Sequence, residues 1–317
     1  MLLFALASSQ TFGSSLAAAL QIPLSALEER TFEDGEHKAR PLVDVHGKDT
    51  FVVQSLHAGP DETSAGKLVR LLFFVATLRD HGAARVTAIV PYLAYARKDR
   101  RTQLRDPINS RYVGQLLEAV GTDVVMTLEV HNPAAFDNAF RCRAVHLHSH
   151  LLFDDIAQRY DDGGHLVVAS PDPGGVKRAA LWQQALELRT GRPLGQAFLD
   201  KSRSGGVIGG NTMVVGDVAG ATVFLFDDII STGTTIARAA TALTKAGARR
   251  ILAFAAHGLF VGDAASVLGA APIECIFVSD SVPAFRLPKD FARPRLEVVS
   301  AAPLLAAAIR EQIDSPA

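Results

Sequence analysis

Two tandem α/β domains, each a mostly parallel sheet flanked by helices, are the fold class that this 317-residue sequence predicts. Three observations lead there. Strand-like apolar runs alternate with helix-like ones, as in parallel sheets joined by crossover helices. One unit recurs: FVVQ at 51–54 leads through a loop to a helix ending ATLRDHGAARVTAIVPYLAY, and FLFD at 224–227 leads through a shorter loop to ATALTKAGARRILAFAAHGLF. Gly82 then aligns with Gly247, Arg85 with Arg250 and Val86 with Ile251, so each half reads strand, loop, helix, Gly-Ala turn, strand. The length also exceeds one typical domain. The expected domains are 1–148 and 149–317, with the C-terminal tail able to pack back on the first.

The start, MLLFALASS, is apolar, but the first basic residue is Arg30, so it lacks the basic n-region of a secretory signal and is expected to be the first strand. No stretch reaches the roughly 18 apolar residues that a membrane helix needs. With 48% hydrophobic and 21% charged residues and a net charge of −1, the sequence reads as soluble and globular, with no membrane or nucleic-acid partner. Cys142 and Cys275 stand far apart without a CxxC pair, which argues against a disulfide framework or zinc ribbon. A cytoplasmic location is the expectation.

The most informative run is VFLFDDIISTGTTIA at 223–237. An apolar strand is expected to end at Asp227, at the carboxyl edge where ligands bind in such sheets. Asp227 and Asp228 repel each other and are costly to desolvate, a placement suited to sugar hydroxyls or a divalent cation. Ser231, Thr232, Gly233, Thr234 and Thr235 supply hydroxyls and backbone N–H groups at the entrance to a helix expected near Ile236, and such an N-terminus favours a phosphate. By itself the run is also readable as an acidic turn with a threonine cap. The corresponding loop of the first half, SLHAGPDETSAGK, has no acidic pair, so one ribose-phosphate site is expected.

The first half instead carries PYLAYARKDRRTQLRDPINSR, in which Arg97, Lys98, Arg100, Arg101, Arg105 and Arg111 crowd around two tyrosines. Guanidinium groups bind phosphates bidentately and aromatic faces stack on bases, so polyphosphate with a purine suits it. A solvated basic loop or an RNA-binding patch remains the plainer alternative. At 166–179, LVVASPDPGGVKRA repeats the logic of a strand followed by a carboxylate, Asp172. DKSR at 200–203 enters a glycine-rich stretch expected to be mobile, where two cations could cover a charged phosphate centre. His146, His148 and His150 alternate in HLHSH and could share a strand face as metal ligands. They are expected to be structural, because they occupy the domain junction and no nearby Cys or carboxylate cluster completes a site.

The run at 227–235 resembles the phosphoribosyl-pyrophosphate (PRPP) loop shared by type I phosphoribosyltransferases and PRPP synthetases, and residues 91–111 resemble the ATP segment of the synthetases, with Lys98 in place of the usual Gln and Asp106 in place of Glu. The resemblance to the ribose-phosphate diphosphokinase (PRPP synthetase) family extends over almost the whole chain. It implies two phosphoribosyltransferase-type (type I) domains and diphosphoryl transfer from ATP to ribose 5-phosphate at an interdomain cleft, with Mg²⁺ as cofactor. It further implies ATP contacts from Phe32, Asp34 and Glu36 of RTFEDGE and from Arg97, Lys98, Asp99 and His131. Ribose 5-phosphate falls to Asp227, Asp228, Ser231, Thr232, Gly233, Thr234 and Thr235, metal to His131 and Asp172, and catalysis to Lys201 and Arg203 of a flexible loop. Glu129 stands where the family usually has Asp, and Asn132 where Ala is common. A dimer-based homo-oligomer, up to a hexamer, is implied because the RTFEDGE loop reaches a neighbouring subunit's nucleotide. A catalytically silent regulatory subunit and a PRPP-consuming phosphoribosyltransferase are the alternatives; the tandem domains and the retained site residues favour the synthetase.

Overall fold

The computed structural model describes residues 1–204, 207–291 and 295–314, with side chains described for all of these except 201–204 and 207–212. The chain divides into two compact units, Met1–His148 with the segment from Ala301 onward, and Ser149–Ser300.

In the first unit, β1 (Leu2–Ala5), β4 (Asp49–Val53), β5 (Arg85–Val90), β6 (Val124–Leu128) and β7 (Arg143–Leu147) form a parallel sheet in that order. Strands β2 (Leu27–Thr31) and β3 (His37–Pro41) make a separate antiparallel ribbon. Helices α1 (Gln10–Leu20), α2 (Ser64–Asp80), α3 (Asn109–Ala119) and α4 (Pro133–Ala139) complete the crossovers. The apolar start of the chain is therefore a strand, with Leu3 and Phe4 fully buried. Helix α2 begins where the Thr63 hydroxyl accepts from Gly66 N at 3.0 Å, an N-cap.

In the second unit, β8 (Leu166–Ser170), β9 (Gly195–Ser204), β10 (Val207–Val215), β11 (Thr222–Ile230), β12 (Arg250–Gly258), β13 (Cys275–Ser279) and β14 (Leu296–Val299) form one sheet in the order β10-β9-β8-β11-β12-β13-β14. Only the β9–β10 pair is antiparallel. Helices α5 (Asp154–Tyr160), α6 (Val176–Thr190), α7 (Thr234–Lys245) and α8 (Ala264–Gly269) flank it, and the last helix, α9 (Ala302–Asp314), belongs to the first unit. There Arg310 donates to Ala19 O at 2.6 Å and Gln312 to Thr87 Oγ1 at 2.9 Å.

The recurring Gly-Ala turn has a backbone cause. Gly82 and Gly247 end α2 and α7 at φ of +80° and +93°, a conformation that penalises a Cβ, and a Cβ on Gly82 would lie 2.5 Å from His46 Nδ1.

Strand β11 explains its unbroken apolar run by being covered on both faces. Val223 and Leu225 join a core with Ile236, Ala239 and Leu243 of α7, whereas Phe224 and Phe226 join one with Trp182 and Phe254. Trp182 is fully buried, its ring centroid 4.8 Å from that of Phe254, and its indole N–H donates to Asp154 Oδ1 at 3.0 Å.

Three boundaries differ from expectation. Strand β11 runs to Ile230, because Ile229 and Ile230 continue the ladder onto His257 and Gly258. Helix α7 starts at Thr234, two residues early, because Gly233 at φ +76° turns the chain sharply into it. Lys201 and Arg203, which the resemblance places in a flexible loop, have a paired backbone in β9, with Lys201 opposite Thr212 and Arg203 opposite Ile208. No helix among the described residues is long and apolar enough to cross a membrane.

Trp182→Ala should cost roughly 3–5 kcal/mol of stability from the cavity it leaves, with a further loss from the missing indole hydrogen bond to Asp154, whose carboxylate keeps Arg189 at 3.6 Å. Urea unfolding checks this, and a midpoint equal to the parent's would show that the aromatic layer is not a central support.

Candidate active site

The carboxyl edge of the second sheet gathers most of the residues expected to bind ribose phosphate. Asp172 follows β8, and its Oδ1 accepts from Gly174 N at 2.8 Å and Gly175 N at 3.2 Å, which folds the Pro-Gly-Gly turn and launches α6. Oδ2 takes part in neither bond, so the carboxylate is fixed at one oxygen and presents the other. Gly175 has no room for a side chain: a Cβ there would lie 2.5 Å from Ser170 Oγ.

Because α6 starts at this turn, its third residue, Arg178, reaches the acidic pair. Arg178 Nη1 lies 3.3 Å from Asp228 Oδ1 and 3.6 Å from Asp227 Oδ1, with all three side chains largely buried. Asp228 N donates to Asp227 Oδ1 at 2.8 Å. Burial, and then the neighbouring Asp228 carboxylate, push the Asp227 carboxyl well above its usual range, and the Arg178 guanidinium only partly opposes this. Arg178 is a residue to which the sequence reading gave no role; its signal is the second of two adjacent cations, Lys177 and Arg178, in the first turn of the helix after the Asp-Pro-Gly-Gly turn.

Beyond β11, Ser231, Thr232 and Gly233 form the turn, and Thr234 and Thr235 open α7. Gly233 is obligatory, since a Cβ on it would lie 2.7 Å from Leu268 Cγ. Thr232 Oγ1 and Thr234 Oγ1 lie 3.1 Å apart, so two hydroxyls converge at the helix N-terminus, where the first-turn N–H groups have no intrahelical acceptor. The side chains of Lys201 and Arg203 lie outside the described residues.

The first unit holds the basic segment after β5. Arg97 is exposed, whereas Lys98 pairs with Asp106 Oδ2 at 2.5 Å and holds its carboxyl well below the usual range. Asp106 also accepts from Thr102 Oγ1 at 2.7 Å and from Gln103 N at 3.0 Å, so it ties the loop together. Asn132 Nδ2 donates to Asp99 Oδ2 at 2.6 Å while its Oδ1 accepts from Ala135 N at 3.2 Å, capping α4. This links the loop after β5, with Arg97, Lys98 and Asp99, to the turn after β6 that carries His131. Among the described residues, three of the five non-glycine positions with left-handed φ lie here: Tyr95 at +67°, Arg105 at +68° and Glu129 at +38°. Such conformations cost about 1–3 kcal/mol and persist where the surroundings enforce them.

Phe32, Asp34 and Glu36 lie apart from this loop in the chain, at the turn of the β2–β3 ribbon. Asp34 Oδ1 accepts from Glu36 N at 3.0 Å, Gly35 turns at φ +91°, and the Arg30 guanidinium sits 4.8 Å from the Phe32 ring centroid. The strand leading back from the turn rests on α2, where the His37 ring stacks on Phe73 at 5.6 Å.

The comparisons with known proteins bear on both units. A family model described as the N-terminal domain of ribose phosphate pyrophosphokinase matches residues 1–121, a phosphoribosyl transferase domain matches 149–258, and a phosphoribosyl synthetase-associated domain matches 210–315. The ribose-phosphate pyrophosphokinase of Chromobacterium violaceum is 35% identical over 299 residues, covering 92% of this chain and 85% of that one. The chain belongs to the ribose-phosphate pyrophosphokinase family. The relative of the same name from Mycobacterium tuberculosis is 34% identical over 313 residues, spanning 98% of this chain and 92% of its own. Among solved structures, the phosphoribosylpyrophosphate synthetase of Mycobacterium smegmatis superposes with a TM-score of 0.87 at 32% identity, covering 99% of this chain and 98% of that one. The family's fold is therefore the one described, with a phosphoribosyl transferase domain in the second unit.

The electrostatics of the acidic pair predict opposite effects of one substitution. A carboxyl whose folded-state pKa is raised supports folding fully below its unfolded value and loses that support as pH rises through the folded value. Asp227→Asn should therefore raise the apo melting temperature by ~2 °C or more at pH 8, and the gain should vanish near pH 4. Binding of ribose 5-phosphate should meanwhile weaken at least tenfold, about 1.4 kcal/mol. Scanning fluorimetry across pH and calorimetric titration check the two halves separately.

Proposed function

We infer that this protein is a ribose-phosphate diphosphokinase, transferring the β,γ-diphosphoryl group of ATP to the 1-hydroxyl of ribose 5-phosphate and giving PRPP and AMP. The observation that carries the reading is the Asp227–Asp228 pair before a hydroxyl-rich helix N-terminus, in a chain whose other α/β unit has a cationic segment instead of such a pair. A phosphoribosyltransferase needs only the first of these. The relatives that share the name resemble this chain over most of their length.

Asp227 and Asp228 accept hydrogen bonds from the 2- and 3-hydroxyls, and the turn 231–235 receives the 5-phosphate at the N-terminus of α7. The hydroxyl hydrogens supply the positive charge that two adjacent buried carboxylates lack, which favours the pair in its charged form once sugar is bound. Arg97, Lys98, Asp99 and His131 are assigned to ATP, with Lys98 acting through the loop it braces against Asp106. Phe32, Asp34 and Glu36 are assigned to adenine in a homo-oligomer built from dimers, where an exposed turn can serve a second subunit.

In the transfer, the 1-hydroxyl oxygen bonds to the β-phosphorus and loses its proton. The bond from that phosphorus to the α–β bridging oxygen breaks, and AMP leaves with the electron pair. Lys201 and Arg203 are assigned to the charge that develops there. Asp172, fixed through one oxygen with the other presented, fits a hard divalent cation, and His131 is the second residue assigned to it. Mg²⁺, when bound, neutralises the phosphates. The reaction suits a cytoplasmic enzyme supplying nucleotide synthesis.

Purified protein with Mg-ATP should form AMP and PRPP together and only with ribose 5-phosphate, and Lys201→Ala should slow this by roughly 10²-fold or more. ATP binding without ribose-dependent AMP would favour a silent regulatory subunit, and PRPP consumption with an added base would favour a transferase.

A further inference from the structure

Among the described residues, the fold assembles one set of metal-ligating side chains that the proposed transfer does not use. Strands β6 and β7 are neighbours, with Thr127 opposite His146 and Leu128 opposite Leu147, and Glu129 N extends the ladder by donating to Leu147 O at 2.8 Å. This sets Glu129 beside His146 and His148, two residues apart along the chain and therefore on one face of an extended segment. One ligand atom from each of the three lies within 4.8 Å of the others. The two imidazole centroids are 4.7 Å apart, edge to face at 81°. The expectation that no carboxylate completes a histidine site is thereby corrected: Glu129 lies 17 positions before His146 in the chain and arrives from the next strand. His150, the third of the alternating histidines, lies 3.9 Å from Asp154 Oδ1 and is not part of this set.

The geometry around His146 suits a metal ion. Val130 N donates to His146 Nε2 at 3.2 Å, so this ring nitrogen is placed as an acceptor. The same Nε2 lies 3.7 Å from Glu129 Oε1, with the two side chains only 8% and 2% exposed. A ring nitrogen placed as an acceptor and a carboxylate oxygen thus lie close together in a buried setting, where one metal ion can take a lone pair from each. Glu129 holds its position at a left-handed φ of +38°.

We propose that Glu129, His146 and His148 form a binding site for a late first-row divalent cation of the zinc class. Two imidazoles and a carboxylate are the donor set such ions take, whereas Mg²⁺ prefers oxygen ligands and keeps its waters. Three protein ligands leave the remaining positions to water. The site does not depend on the ribose-phosphate reading, and its test needs no turnover.

Full-length protein stripped with a chelator and titrated with Co²⁺ in excess Mg²⁺ should develop a visible d–d band saturating at one ion per chain, and one equivalent of Zn²⁺ should abolish it. His148→Ala and Glu129→Gln should each weaken Co²⁺ binding at least about tenfold, while His150→Ala and His131→Ala keep the band. His148→Cys should retain binding and add a sulfur-to-cobalt charge-transfer band, a change that a purely structural role for the position would not produce. Circular dichroism matching the parent shows that each variant is folded. No stoichiometric band, a band displaced by Mg²⁺, or a band lost in His131→Ala and kept in folded His148→Ala would overturn the proposal.

Discussion

The second unit depends on Arg178 facing Asp227 and Asp228. Two adjacent carboxylates near the end of a doubly covered strand would be prohibitive alone, since each loses hydration and each raises the cost of ionising the other. One guanidinium within 3.3–3.6 Å of both makes the arrangement tolerable without neutralising it. The Asp227 carboxyl is still held above its usual range, and in the proposed function a ligand that donates several hydrogen bonds, such as a sugar diol, stabilises the charged pair. The position of Arg178 follows in turn from Asp172, whose two backbone hydrogen bonds fold the turn that starts α6. One carboxylate therefore sets the helix that carries the counter-charge for two others.

The first unit meets a different demand with the same architecture. Its candidate nucleotide loop is rich in cations that repel one another, and the loop is ordered by acidic and amide partners. Lys98 with Asp106 and Asn132 with Asp99 do this. Lys98, Asp106 and Asn132 are all departures from the residues usual in the PRPP synthetase pattern. Taken singly they look like losses of a binding group. In the structure, Lys98 and Asp106 compensate each other, because a Gln-to-Lys change adds a charge that the shorter Asp reaches and pairs. Asn132 adds a link between two loops that an alanine could not make.

The fold class was legible because its signals are local: apolar runs for buried strands, a threonine cap for α2, and glycines where φ must be positive. The acidic pair was legible as a candidate site because two adjacent carboxylates after an apolar strand are costly to bury. Arg178 was not, since the Lys177-Arg178 pair at a helix start reads as surface, and the partners of Arg178 lie 49 and 50 positions away. Glu129 was missed as a companion of the histidines for the same reason. Register between neighbouring strands brings it there, and register is a property of the folded sheet. The extension of β11 to Ile230 escaped because Asp227 and Asp228 look like a strand terminus in one dimension, whereas hydrogen bonding to β12 carries the ladder past them.

Comparison of the two halves separates what the architecture requires from what the chemistry requires. Gly82 and Gly247 occupy equivalent turns and both have positive φ, so that position is governed by backbone sterics common to both units. The loops that begin the same two helices share no such constraint. One became STGTT behind an acidic pair. The other became a longer segment ending in a Thr63 cap, in which Gly66 donates to the cap and Lys67 is buried. Both solve the same problem, the unsatisfied N–H groups of a helix start, in opposite ways. In α2 a side chain of the protein itself accepts one of those hydrogens, whereas the turn into α7 has a glycine at the cap position, with no side chain to accept them. Other helices also start without a side-chain cap, but at α7 the open start coincides with the converging Thr232 and Thr234 hydroxyls behind the acidic pair, and that combination supports the proposed assignment of the phosphate to the second unit.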